Sequence, residues 1–206
     1  MVLPPPNYPP PNDPPLDEPL SSIVAMAKLY GGIDMMTMQR FQQEGVRTYD
    51  QAARKLKSLK VAPSFDTPKH HVTIVGAYFK SVQNEPGFNK MSDVSASEAD
   101  CTIIVLSADT VAHGIAAQSL FAAAKQPIIL INKMDGIEWS EEQFQKIVQE
   151  LGYIPENVPI IPISALKGDN ITDRLPSPKS PWYKGWKKNG QSGTSLLEAL
   201  DVALGC

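Results

Sequence analysis

Two short polar segments each follow directly after an apolar run. The segment Asn132-Lys133-Met134-Asp135 comes after PIILI, and Ser164-Ala165-Leu166 comes after PIIPI. A carboxylate such as that of Asp135 can accept two parallel hydrogen bonds from neighbouring N–H groups of one ligand. Ligands of open parallel sheets bind at the carboxyl ends of the strands. The two segments therefore predict one binding site, provided that both apolar runs are strands of such a sheet.

The second half of the chain has the pattern of a parallel sheet. Three strands are predicted at CTIIVL, PIILI and PIIPI, with helices from Ala112 to Lys125 and from Glu141 to Leu151 between them. Apolar runs without alternation, separated by helices, indicate strands that are buried on both faces. A last helix, Ser195 to Leu204, places Leu196, Leu197, Leu200 and Leu204 on one stripe. We predict a three-layer α/β domain in which helices flank a parallel sheet.

The N-terminal part has a different texture. Residues 1–20 contain the run PPPNYPPPNDPPLDEP, which cannot form a helix or an interior strand and predicts a disordered, extended tail. Alternatively, this tail is a ligand for a partner protein that binds proline-rich segments. Residues 21–206 form the predicted domain. It begins with three helices between Ser21 and Lys60 and continues with strands at Ser64 to Thr67 and His71 to Val75.

Composition excludes several classes of protein. The formal net charge of -3 gives no reason to expect nucleic-acid binding driven by overall charge. Two cysteines, Cys101 and Cys206, make neither a disulfide framework nor a metal cluster and suit a reducing compartment. No apolar run reaches the roughly 20 residues that span a bilayer. We expect a cytoplasmic protein without membrane association.

The two polar segments resemble the NKxD and SAL guanine-recognition motifs of GTP-binding proteins. Six segments, one of which contains the SAL motif, are similar, in the same order, to the G domain of the elongation factor 1-alpha family of translational GTPases: YGGID, FDTPKHHVTIV, EADC, SALKGDN, PWYKGW and SLLEALD. The resemblance implies that Asp135 accepts hydrogen bonds from the ring N–H and amine of guanine, which adenine cannot offer. It also implies that Asn132 ties the loops and touches the base, and that Lys133 covers one face of the ring. The resemblance further implies that a backbone N–H in the loop of Ser164, Ala165 and Leu166 donates a hydrogen bond to the guanine carbonyl oxygen.

The resemblance fails at the phosphates. The family's phosphate loop, GxxxxGK(S/T), has no counterpart, because the chain contains no Gly-Lys pair. In the family, the strand similar to HVTIV continues into Asp-Ala-Pro-Gly-His. The Asp of this segment contacts magnesium through water, and its His orients the attacking water. Here Gly76 stands at the Asp position, and Phe88 replaces the His if Pro86-Gly87 is the displaced Pro-Gly. The first switch segment also has no counterpart between Leu59 and Ser64. We therefore expect weak GTP or GDP binding, no magnesium, no catalytic residues and no GTPase activity.

The central first strand of the family's sheet is also without a counterpart. Its loss leaves two strand edges facing each other with unpaired backbone N–H and C=O groups. Three arrangements could pair these groups: a short strand at Ile23-Val24-Ala25-Met26, direct pairing of the two edges, or a strand from a partner protein. We expect no tRNA binding, because the sequence ends after the helix that closes the G domain. Two alternatives remain open at this point. The chain could be a working GTP-binding elongation factor, or a truncated gene copy without a selected function.

Overall fold

The computed structural model describes nine stretches of the chain: residues 35–46, 51–52, 55, 64–74, 78–82, 85–89, 99–109, 124–172 and 177–205. Several predictions lie outside these residues. They concern the tail at residues 1–20, the first helix with Ile23 to Met26, Gly76, and the predicted helix between Ala112 and Lys125 except its last two residues. The described residues fall into two compact units. One holds residues up to Asp66 and those from His71 to Ile74, and the other holds the remainder.

The first unit contains a helix and a pair of strands. Helix α1 (Met35–Gln43) buries Phe41 completely. Strands β1 (Ser64–Asp66) and β2 (His71–Thr73) pair antiparallel, with Phe65 opposite Val72. The sequence predicted both strands but not how they pair. Only four residues connect them, whereas a parallel crossover needs a dozen or more.

The second unit contains the predicted parallel sheet. Strands β5 (Ile103–Ser107), β6 (Ile128–Asn132) and β7 (Ile160–Pro162) pair in parallel in that order. Every residue of the central strand β6 is buried. Ser107 lies opposite Asn132, and Ile131 lies opposite Pro162, so the carboxyl ends of the three strands meet at one edge. The prediction of a parallel sheet at these three runs is confirmed.

Two helices of this unit follow the predicted pattern closely. Helix α2 (Glu141–Glu150) is capped by Ser140, whose hydroxyl accepts a hydrogen bond from the Gln143 amide, and it buries Phe144 and Ile147. Helix α3 (Leu196–Leu204) begins one residue later than predicted, because Ser195 is its cap and forms a capping box with Glu198. The face of α3 that is buried consists of Leu196, Ala199, Leu200, Val202 and Ala203, while Leu197 and Leu204 lie half-buried at its margins.

Two antiparallel hairpins complete the second unit. Strands β3 (Tyr78–Val82) and β4 (Glu85–Asn89) form the first. Strands β8 (Trp186–Lys188) and β9 (Gln191–Gly193) form the second. The two-residue turn Asn189-Gly190 has φ angles of 50° and 75°, which are those of a type I′ turn. Within the described stretches, every helix is too short or too polar to cross a membrane.

Candidate functional site

The structure brings the two predicted polar segments together at the carboxyl edge of the sheet. Asn132 is the last residue of β6, and Ser164 lies two residues after the end of β7. The Ile163 amide donates to the Ile131 carbonyl at 2.8 Å, and the Met134 amide donates to the Ile163 carbonyl at 3.2 Å. The parallel pairing therefore continues past the strands and holds the two loops side by side.

Asn132 connects the loops at this edge of the sheet. Its side chain is buried, and Oδ1 accepts a hydrogen bond from the Ala165 amide at 3.0 Å. Its backbone carbonyl accepts a hydrogen bond from the Ala108 amide, in the loop after β5, at 2.8 Å. One residue therefore ties together the loops that follow all three strands. An apolar replacement would leave the buried Ala165 amide unpaired, which costs about 1–3 kcal/mol.

Lys133 and Asp135 lie in a tight turn after β6. Lys133 has a left-handed backbone with φ of 62°, and a 3₁₀ turn (Met134–Ile137) follows it. Met134 is fully buried, whereas Lys133 and Asp135 are half-buried. The Trp139 amide donates to the Met134 carbonyl at 2.9 Å. The buried methionine anchors the turn and leaves the lysine and aspartate accessible to a ligand.

Aromatic packing supports this turn from outside the two predicted segments. The indole N–H of Trp182 donates to the Trp139 carbonyl at 2.9 Å, and the Trp182 ring lies 4.9 Å from that of Phe144 on α2. Trp186 is buried and its indole N–H donates to the Ser195 carbonyl at 3.0 Å. The tryptophans of PWYKGW are thus structural residues that fix the turn and the start of α3.

The loop after β7 uses much of its polar surface internally. Ser164 is fully buried, and its hydroxyl accepts a hydrogen bond from the Lys167 amide at 3.2 Å. The Gly168 amide donates to the Ser164 carbonyl at 2.8 Å. Ala165 is also buried, and its amide is used by Asn132. Leu166 is 42% exposed, and across the described stretches no backbone carbonyl accepts a hydrogen bond from its amide. Of the three backbone amides of this segment, those of Ser164 and Ala165 are therefore used within the described residues.

Asn170 holds this loop from behind and was not predicted from the sequence. It is buried with a left-handed φ of 59°. Its Nδ2 donates to the Pro162 carbonyl at 2.8 Å, and its Oδ1 accepts from the Ser177 amide at 2.7 Å. The Leu196 amide, at the start of α3, donates to the Asn170 carbonyl at 3.1 Å. The Gly-Asp-Asn run was a usable signal, because asparagine tolerates this backbone region better than most residues.

Ser107 and Asp109 are further site residues that the sequence did not reveal. They follow β5 at the same edge, and the Ser107 hydroxyl donates to Oδ1 of Asp109. The Lys133 ammonium donates to Oδ2 of Asp109 at 3.0 Å. The signal that could have revealed them is their position in the sequence. A polar segment, Ser107 to Asp109, follows the predicted strand CTIIVL, just as polar segments follow the predicted strands PIILI and PIIPI.

Pro86, Gly87, Phe88 and Cys101 were candidates outside the two polar segments. Pro86, Gly87 and Phe88 lie inside strand β4, so they form part of a hairpin and not a loop. Cys101 precedes β5, its thiol donates to the Gln126 carbonyl at 3.2 Å, and burial raises its pKa to about 12. Over the stretches that the structure describes, His, Cys, Asp and Glu side chains form no group suited to a metal ion.

The amino-acid sequence of this chain is similar to that of proteins of known family. A family model described as the elongation factor Tu GTP binding domain matches residues 84–204. Elongation factor 1-alpha of Coccidioides immitis is 36% identical to this chain over 213 residues. The proteins of the same name from Eremothecium gossypii and Saccharomyces cerevisiae are 34% and 33% identical. Each alignment covers 84% of this chain and 44% of the relative, so the chain spans less than half the length of these relatives.

Proposed function

This chain belongs to the family of elongation factor Tu GTP-binding domains, as an elongation factor 1-alpha-like G domain, and from that premise we propose that it binds the guanine base weakly and does not hydrolyse GTP. The proposed guanine-binding residues are Asn132, Lys133, Asp135, Ser164, Ala165 and Leu166. A cytoplasmic location accompanies this proposal, because a chain with two cysteines suits a reducing compartment.

The observation that carries the proposal is the hydrogen bond from the Ala165 amide to Oδ1 of Asn132 at 3.0 Å. It joins the loop of the carboxylate Asp135 to the loop of the Leu166 amide. In the proposed complex, Asp135 accepts from the ring N–H and the amine of guanine, and the Leu166 amide donates to the guanine carbonyl oxygen. Adenine would leave the carboxylate without its two donors, so the site would reject it.

The proposal excludes hydrolysis because the chain has no GxxxxGK(S/T) segment to hold phosphates and magnesium. A charge-assisted hydrogen bond contributes about 1.5–3 kcal/mol, so the loss of three lowers the binding free energy by about 5–9 kcal/mol. That loss corresponds to a factor of roughly 10³–10⁶ in affinity and leaves about millimolar binding. Phosphoryl transfer relies almost entirely on positioning and charge neutralisation of the phosphates, which these residues do not supply.

We expect guanosine to bind with a dissociation constant of about 1 mM, and adenosine to bind at least tenfold more weakly. Addition of Mg²⁺ should leave the GDP affinity unchanged within twofold. Titration of the ¹⁵N-labelled chain, followed by the amide shifts of the Asn132 and Leu166 loops, measures all of these values. Tight GDP binding that is abolished by EDTA would contradict the proposal.

A working GTPase is the second candidate, and the family match itself favours it. It would require groups outside the matched motifs to hold the phosphates. Single-turnover hydrolysis of radiolabelled GTP separates the two candidates, because the proposed function predicts a rate equal to that of GTP in buffer.

A further inference from the structure

One short segment contacts both loops of the proposed guanine site. It runs from Ser177 to Trp182 and reads SPKSPW. At its first residue, the Ser177 amide donates to Oδ1 of Asn170, in the loop after β7, at 2.7 Å. At its last residue, the indole N–H of Trp182 donates at 2.9 Å to the carbonyl of Trp139, which follows the turn after β6. Residues 177–182 are called the bridging segment below, because they bond to both loops.

The two residues that the bridging segment holds share an unusual backbone conformation. Trp139 and Asn170 both lie in the left-handed region, with φ of 58° and 59°. Tryptophan is strained in this region and asparagine less so, and a strained residue keeps its conformation only where its surroundings impose it. At Trp139, the amide donates to the Met134 carbonyl and the carbonyl accepts from the Trp182 indole. Each loop therefore ends in a left-handed residue that a hydrogen bond from the bridging segment holds in place.

The bridging segment is stiff enough to keep its ends at a fixed separation. Pro178 and Pro181 have a fixed φ, and each restricts the backbone of the serine before it. Ser180 is fully buried, and its amide and hydroxyl donate to the Ser177 carbonyl at 2.9 and 3.2 Å. The Tyr183 amide donates to the Ser180 carbonyl at 3.0 Å. These bonds make the segment a series of tight turns and not a flexible linker.

We infer that the bridging segment sets the spacing of the two loops that read the base, and that its end residues, Ser177 and Trp182, are positioning residues for guanine. The inference rests on the proposed guanine recognition, in which the turn after β6 and the loop after β7 act on the same base. Neither end residue needs to touch the ligand, because each acts through the loop that it holds.

The held residues lie close in sequence to the groups proposed to contact the base. Trp139 lies four residues beyond Asp135, and Asn170 lies four residues beyond Leu166. A shift of Trp139 therefore moves the carboxylate, and a shift of Asn170 moves the amide of the other loop. Guanine needs both groups at once, whereas adenine lacks the donors that the carboxylate requires. The spacing of the two loops should therefore govern the selection of guanine over adenine.

The test compares the affinities for GMP and AMP in W182F. Phenylalanine keeps a ring beside Phe144, whose centroid lies 4.9 Å from that of Trp182, but removes the N–H that holds the Trp139 carbonyl. We expect the GMP dissociation constant to rise about three- to tenfold, with the AMP value changed less than about twofold. Both ligands carry one phosphate, so their ratio reports the base alone. A variant that only lowered the folded fraction would weaken both equally. NMR titration of the full chain measures each value.

S177A tests the opposite end of the bridging segment. The Ser177 hydroxyl donates to Oδ1 of Asp169 at 3.3 Å and accepts from the Lys179 amide at 3.3 Å. Its loss should raise the GMP dissociation constant about two- to fivefold, with the AMP value unchanged. Because release of either end frees the spacing, W182F/S177A should weaken GMP binding by no more than about twofold beyond W182F alone. Two independent contacts would instead give additive effects.

The matched control is W186F. Trp186 is buried, and its indole N–H also donates to one backbone carbonyl, that of Ser195 at 3.0 Å. Ser195 is the cap of α3 and belongs to neither base-reading loop. W186F should therefore lower the melting temperature at least as much as W182F does, and leave the GMP-to-AMP ratio unchanged. A thermal melt of each variant sets a titration temperature at which all of them are folded.

The outcomes separate the two proposals. If wild-type protein prefers GMP but W182F and S177A leave the GMP-to-AMP ratio unchanged, the inference is overturned and the proposed function stands. If W186F changes the ratio as much as W182F does, lost stability is responsible and the inference is overturned. Additive effects in W182F/S177A overturn it as well. If W182F melts below the titration temperature, S177A decides by the same ratio. If wild-type protein binds GMP no more tightly than AMP, the proposed function fails and the inference fails with it.

Discussion

At the scale of single residues, the site depends on a division between buried polar atoms and accessible ones. Asn132 and Ser164 are buried and bonded to backbone amides, whereas Asp135 and Leu166 retain exposure. The buried pair sets the geometry, and the accessible pair is left to meet a ligand. Substitutions of the two kinds should therefore differ in effect, the first on stability and the second on binding.

Asp135→Asn tests the accessible residue. The amide that replaces the carboxylate can donate to a carbonyl, which xanthine carries where guanine carries its amine. We expect guanosine affinity to fall at least tenfold and xanthosine affinity to rise, with the free energy of unfolding changed by less than about 0.5 kcal/mol. Titrations with both nucleosides and a urea melt measure these effects. Unaltered guanosine binding would remove Asp135 from the site.

At the scale of elements, tight turns constrain the structure as strongly as the sheet does. Immediately before the β8–β9 hairpin, a methyl group on Gly185 would lie 2.4 Å from the Gly193 carbonyl oxygen, and the backbone there has φ of 92°. Gly190, in the turn of the same hairpin, has φ of 75° but open space around it. The two glycines separate the effect of steric clash from that of backbone strain.

Gly185→Ala should therefore destabilise the chain more than Gly190→Ala. We expect about 1 kcal/mol for Gly190→Ala from backbone strain alone and about 2–4 kcal/mol for Gly185→Ala, where the clash adds to it. Urea denaturation of both variants, followed by far-UV circular dichroism, gives the two free energies. Equal losses would show that the contact with Gly193 relaxes at no cost.

Elements with a strong periodic pattern could be predicted, and those that depend on turn chemistry could not. Strands β5, β6 and β7 and helices α2 and α3 were predicted to within about two residues, because apolar runs and leucine spacing mark them. Hairpin β8–β9 was missed because Trp186 to Lys188 has little apolar alternation, although Asn189-Gly190 is a strong signal for a type I′ turn. The same distinction holds in the site. Asn132 and Asp135 belong to a recognisable motif, whereas Asp109 and Asn170 act through contacts that only the folded chain creates.

At the scale of the whole molecule, a half-buried thiol and a buried phenol make the free energy of unfolding depend on pH in the alkaline range. Burial raises the pKa of Cys101 to about 12, and it also raises the pKa of the Tyr183 phenol, with a contribution from Glu198. Because these pKa values are higher in the folded state, their contribution to stability is complete below the unfolded values, about 8.5 for cysteine and about 10 for tyrosine. It is lost as the pH rises toward the folded values.

We therefore expect the free energy of unfolding to fall above about pH 8.5, at up to about 1.4 kcal/mol per pH unit for each group. Urea melts at pH 7, 9 and 10 measure this slope. Cys101→Ala should flatten it between pH 8.5 and 10, where the thiol of the unfolded chain ionises, and should leave the steeper fall above pH 10 that tyrosine contributes. A slope that is identical in Cys101→Ala would contradict the assignment to Cys101.

The indole pair beside the Asp135 turn gives this molecule an optical property. Trp139 lies four residues beyond Asp135, with its amide bonded to the Met134 carbonyl and its own carbonyl bonded to the Trp182 indole. Any shift of the turn displaces two fluorophores together. Binding of a ligand at the site should therefore change the tryptophan emission spectrum, so binding to the unlabelled protein can be followed by fluorescence.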